Sequence, residues 1–251
     1  MNPTPIPCTG VRRRAALALP LLCALAAVPA LAATTGSGKA ATESRSVGDF
    51  QAVATNGSID LTVRQGAQIS VQVSADDNLL PLLETVVEPG KDGTGVLKVG
   101  WKRGENISHR SRVSVNVTMP KLGSLATAGS GDIKVEAFQT PALSVAVAGS
   151  GNARFDGLST EDLGIRISGS GNVGGKGRTA KLKVSIAGSG DVKLMDMSAD
   201  DVTVSIAGSG DAAVNAGKSL SVSIAGSGDV VYSGDAQVKS SVAGSGSVRR
   251  R

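Results

Sequence analysis

Aromatic side chains are nearly missing from this chain, with three Phe, one Trp and one Tyr in 251 residues. Five rings are too few for the extended stacking platforms on which polysaccharide enzymes hold sugar chains, and Phe155 and Tyr232 fall in the buried phase of their strands. Histidine is scarcer still: His109 stands alone in the polar stretch RGENISHRSR and reads as a solvated side chain. One imidazole cannot build a histidine metal site or act as base to many serines. Cysteine occurs only at Cys8 and Cys23, inside a predicted leader, so the mature domain is expected to lack disulfides, thiol nucleophiles and thiolate ligands.

Long apolar runs are also absent, apart from AALALPLLCALAAV between Ala15 and Val28. That run is too short to cross a hydrocarbon core of about 30 Å. It follows Arg12, Arg13 and Arg14 and ends in PALA, with small residues at Ala30 and Ala32. This is the pattern of a bacterial secretory signal peptide over residues 1–32. Leu22 stands before Cys23 where lipidation would need a small residue. The expected location is periplasmic, cell-surface associated or secreted, with no transmembrane segment in the mature chain.

An excess of one charge is missing too. The formal net charge of +5 falls to +2, 23 basic against 21 acidic residues, once the three leader arginines are removed. The one dense basic cluster, Arg249 to Arg251, reads as a solvated tail, so nucleic acid is not an expected partner.

What the chain does have is glycine, 33 residues, at a regular spacing. Gly-Ser-Gly plus a small polar residue recurs with paired glycines Gly129 and Gly131, Gly149 and Gly151, Gly169 and Gly171, Gly188 and Gly190, Gly208 and Gly210, Gly226 and Gly228, Gly244 and Gly246. The first glycines of these pairs step along the chain at nearly equal intervals, which shorten slightly toward the C-terminus. Each pair is flanked by period-two alternation, as in Leu182, Val184, Ile186 before a turn and Val192, Leu194 after it. Alternation with β-branched residues means strands with one buried face, and recurrent glycines would break a helix.

The constancy of the period favours a parallel coil over a meander. Rungs stacked about 4.8 Å apart keep equivalent residues above one another and so pin the rung length. The fold class is therefore all-β: a parallel β-helix, or β-solenoid, with rungs of about 18–20 residues, expected to be right-handed. The stretch before Gly129 should hold strands near residues 58–64, 69–74, 85–88, 96–101 and 113–119, with a short helical turn in NLLPLLET. Those N-terminal strands are expected to cap the open end of the coil. Residues 33–46 read as a flexible linker, 47–248 as one solenoid domain, and 129–248 as its regular array.

The repeated turn can be weighed as chemistry. Its acid position reads Asp132, Asn152, Asn172, Asp191, Asp211, Asp229 and Ser247. Every one of these side chains can accept a backbone hydrogen bond, but three carry no charge, which suits a turn better than a dication site. Asp191, Asp211 and Asp229, stacked on consecutive rungs, are the weak calcium candidates. A glycosidase pair would need two carboxyls in unlike environments, and a ladder of equivalent turns offers like ones. Gly169, Gly171 and Gly174 match G-x-G-x-x-G but open no helix. Ser189, Ser209 and Ser227 lack the first glycine of G-x-S-x-G. The structural role of the glycines is the simplest account: they supply turns and let rungs approach closely.

These features resemble the auto-transporter adhesin head (GIN) domain family of bacterial exported proteins. The resemblance rests on VGDFQAVATNGSIDLTVRQG from Val47 to Gly66, DNLLPLLET, VSVNVTMPKLGSLATAGSGDI and the closing GSGDVVYSGDAQVKSSVAGSGSV. It implies a β-helical fold, export and an adhesive role, and it brings no catalytic residues. No translocator barrel follows the repeats in this sequence, so self-export is not expected. The sequence thus points to a non-enzymatic envelope or surface protein without cofactors, presenting an extended face to a surface, glycan or protein, with oligomers allowed. A polysaccharide lyase or hydrolase is the alternative, and a calcium-stabilised rod the third reading.

Overall fold

A computed structural model describes residues 33–90 and 93–251; the expected signal peptide lies outside them. Among the described residues the fold is a β-solenoid of stacked parallel strands, with one 3-10 turn at Leu80–Leu82 and no α-helix. Strands Ala52–Gly57 and Ser124–Gly129, and the segments that end at Gly149, Gly169, Gly188, Gly208, Gly226 and Gly244, stack in register with glycine on glycine. Inward columns follow from the alternation: Leu143, Leu163, Leu182, Val202 and Leu220 form one, and Val147, Ile167, Ile186, Ile206 and Ile224 another, all buried. No rung could bury such a column alone, so each depends on its neighbours.

The corner glycines are required for two different reasons. Gly188 has φ +132°, and a Cβ there would also lie 2.3 Å from Gly169 O. Gly190 has no such φ, yet its Cβ would fall 2.1 Å from Gly171 O. In the rungs between Ala153 and Gly226 the second corner falls within one long strand such as Ala153–Gly169. Register shifts there, between Asp156 and Leu158 or Leu194 and Ser198, absorb the difference between longer and shorter rungs.

The N-terminal third is an excursion from the coil. Ala52–Gly57 and Asp60–Gln65 already form a rung, because they pair directly with Ser124–Gly129 and Ile133–Val135. The chain then leaves, and Gly95–Trp101 and Ser114–Met119 add parallel strands beneath that rung. Beyond these the direction reverses: Leu83–Pro89 pairs antiparallel with Gly95–Trp101, and Ser70–Asp76 with Ser114–Met119. The cap is thus built of the strands expected from the sequence, and NLLPLLET holds the helical turn.

The expected flexible linker is corrected. Thr34–Thr35 pairs with Ile107–Ser108, and Ala40–Arg45 pairs antiparallel with Ser70–Asp76. The segment is tied down by Asp76, Asp77 and Asn78. Asp76, fully buried, accepts hydrogen bonds from the N–H groups of Gly38 (2.9 Å), Arg110 (2.8 Å) and Ser111 (3.2 Å) and from the Ser111 hydroxyl (2.6 Å). Asn78 donates to Thr35 O and accepts from Ser37 N–H. Small polar composition suggested disorder, but long-range side-chain partners supply the order that local burial does not.

Candidate functional site

Each acid-position side chain of the repeated corner from Asp132 to Asp229 bonds to the next rung. Asp191 Oδ1 accepts from Asp211 N–H at 3.2 Å, Asp211 Oδ1 from Asp229 N–H at 2.8 Å, and Asp229 Oδ1 from Ser247 N–H at 2.8 Å. The same bond links Asp132 to Asn152, Asn152 to Asn172 and Asn172 to Asp191. Asn152 and Asn172 add a second bond each, donating Nδ2–H to the oxygen on the rung below. An oxygen acceptor is what the corner needs, and carboxylate and amide both provide it. The calcium candidates Asp191, Asp211 and Asp229 therefore already have one oxygen each engaged by backbone; Asp191 also lies 3.7 Å from Lys193 Nζ.

The resolved carboxyl shifts all run downward. The Ser247 hydroxyl and N–H hold Asp229 below its ordinary value. Hydrogen bonds from Arg64 and Arg154 do the same for Glu136 and Asp156, in a surface chain of ion pairs through Lys134. Asp76 is lowered to about 2, first by the Ser111 hydroxyl and then by three backbone N–H groups that outweigh its burial. A general acid working near neutral pH needs its carboxyl pushed up instead. His109 is exposed, with Nδ1 3.2 Å from Ser111 O. Among the described residues no three His, Cys, Asp or Glu side chains gather as a metal site would require.

The solenoid also carries a groove that the sequence reading did not single out. The hairpin of Leu83–Pro89 and Gly95–Trp101 extends the sheet beyond Ala52–Gly57, and an open groove of about 650 Å³ lies along its outer surface. Its floor is Ala54, Ala126 and Ala146, adjacent in one outward column. Half-buried Trp101 lines one side, seated under the corner so that a Cβ on Gly57 would lie 3.6 Å from its Cδ1. The rim carries Glu84, Glu88 and Glu105 against Lys98, Lys102 and Arg103, with Glu88 and Lys98 paired and exposed Val86 between the two glutamates of its strand. A lone tryptophan at a strand end carried no periodicity, so nothing in the sequence joined it to alanines of three distant segments.

Fold and corner together define a β-solenoid whose recurring acids are bound into its own backbone. The chain belongs to the family described as "Putative auto-transporter adhesin, head GIN domain", whose model matches residues 49–236. No curated protein matches it. Among solved structures it is similar to a "putative adhesin" from Bacteroides fragilis, with TM-score 0.79 and 21% identity over 87% of this chain and 100% of that one. A "Putative lipid binding protein" from Parabacteroides distasonis has TM-score 0.70 and 24% identity, covering 88% of this chain and 100% of its own. A "putative adhesin" from Parabacteroides merdae has TM-score 0.68 and 24% identity over 87% and 98%. At these identities the likeness is one of fold.

Proposed function

We propose that the protein is exported and acts without catalysis at the bacterial cell envelope, presenting the outer faces of its solenoid to a surface, glycan or protein. The observation that carries this reading is the corner ladder. The acids that recur along the coil, the obvious candidates for repeated chemistry, are acceptors for backbone N–H groups of the next rung. The downward carboxyl shifts support it as well, because such groups stay ionised. Membership of the adhesin-head family supports a surface role, and the secretory pattern of residues 1–32 supports export.

The test is fractionation of cells expressing the full chain, followed by binding of the purified mature protein to intact cells and to isolated envelope polysaccharide. Surface or medium localisation with saturable binding is the expected result. A strictly periplasmic location overturns the adhesive part. Release of reducing ends from any polysaccharide, abolished by Asp191→Asn or Asp211→Asn, overturns the non-catalytic part.

A further inference from the structure

We propose that the groove beside Trp101 binds a segment of neutral, hydroxyl-rich glycan; the proposal rests on the function given above and names a ligand class and a place for it. The groove is local. Its alanine floor spans three rungs, roughly 10 Å at the strand spacing, and ends where Arg166 succeeds Ala146 in the same outward column. Beyond that point the column carries Ser185, Ser205 and Ser223, and no tryptophan stands beside it.

The balance of charge on the rim selects the occupant. Three carboxylates and three cations face one open groove, so it has no net field to attract a polyanion or a polycation. An acyl chain or an apolar peptide would desolvate those charged groups without giving them hydrogen bonds, which is costly. A neutral sugar chain suits both signs, because each hydroxyl donates to a carboxylate and accepts from an ammonium or guanidinium. Its C–H faces can rest on the alanine floor, where a longer side chain would intrude, and on exposed Val86, while the Trp101 indole, packed in part against the core, borders the groove. Asn56, exposed beside the floor, adds an amide with both a donor and an acceptor.

Trp101 is the chain's single tryptophan and borders this groove, so its emission reports on occupancy there while the melting curve reports on the core it also touches. The full mature protein is titrated with cellohexaose, maltohexaose, xylohexaose and chitohexaose, with polygalacturonate fragments, and with phosphatidylglycerol vesicles. The blocking variant is Ala126→Arg, chosen because Arg166 already occupies that column two rungs away and leaves the core unchanged. A saturable emission shift with at least one neutral oligosaccharide, weakened at least about tenfold in Ala126→Arg (about 1.4 kcal/mol) with unaltered melting, is the expected result. No shift with any neutral oligosaccharide, or an equal shift in Ala126→Arg, overturns the proposal. So does a shift confined to polygalacturonate or to vesicles. Cell binding of Ala126→Arg separates the two readings: if it persists at the native level, the groove is excluded while the surface role stands. If the native protein binds neither cells nor glycan, both fall.

Discussion

Asp60 Oδ1 accepts a hydrogen bond from the backbone N–H of Asp132 at 3.0 Å, across a long stretch of intervening chain. In return, Leu61 N–H donates to Asp132 O at 2.7 Å. This is the same corner exchange that links every later pair of rungs, and it places NGSID, residues 56–60, at the foot of the ladder. The coil therefore starts well before the first Gly-Ser-Gly at Gly129, and the segment from Gly66 to Gly123 is an insertion between two rungs that touch. Four consequences can be measured.

The corner acceptor should tolerate amide for carboxylate but not its removal. Asp211→Asn keeps the oxygen that receives Asp229 N–H, relieves repulsion with Asp191 and Asp229, and can donate to the rung below as Asn152 does. It is expected to be neutral or to stabilise by up to about 0.5 kcal/mol, whereas Asp211→Ala should cost about 1–2 kcal/mol. Chemical denaturation at pH 7 checks both. Repeating it with a chelator should leave the midpoint unchanged.

Gly190→Ala should destabilise by about 3 kcal/mol, since its Cβ would meet Gly171 O at 2.1 Å and Ile167 Cγ2 at 2.8 Å. Gly164→Ala is the control: a Cβ there meets nothing within 4 Å, so a gain of about 0.5 kcal/mol is expected. Equal effects in a melting experiment would show that close approach of the rungs is not what the corner glycines serve.

Thr55 and Thr127 sit in one inward column, buried, with hydroxyls that have no hydrogen-bond partner. The next rung places Val147 in that column. Thr127→Val keeps the shape and removes an unsatisfied hydroxyl, so it should stabilise by about 1 kcal/mol in denaturant. A loss of stability would mean that the hydroxyl is satisfied in solution.

Asp76 gives the cap an acid limit. Its carboxyl is held at about 2, below the ordinary 3.8, chiefly by the Ser111 hydroxyl and by the N–H groups of Arg110, Ser111 and Gly38. Its contribution is therefore complete above about pH 4 and is lost as pH falls toward 2. Asp76→Asn, which turns an amide donor toward these donors, should loosen the strand Ala40–Arg45 at neutral pH. It should also flatten the stability profile between about pH 4 and 2. Amide exchange across Ala40–Arg45 reads out the first effect, and acid melts the second; an unchanged profile would remove Asp76 from the account.

Sequence alone determined the coil, because stacking imposes a period: seven glycine corners and their alternating flanks can satisfy one another only if each rung lies on its neighbour. It also determined that the acid position needs an acceptor, since Asn152, Asn172 and Ser247 share it with aspartate. What it hid were the features without a period. The first corner escaped notice because Ile59 replaces the second glycine. With no glycine corner beneath it there, a side chain fits, and Ile59 is wholly buried. The ordering of the segment from Thr34 to Arg45 depends on Asp76 and Asn78, which lie far along the chain. The groove depends on a hairpin laid beside alanines from three separate rungs. Local pattern encodes a repeat, because every copy restates it; a single long-range contact is stated once, and only the folded chain brings its two halves together.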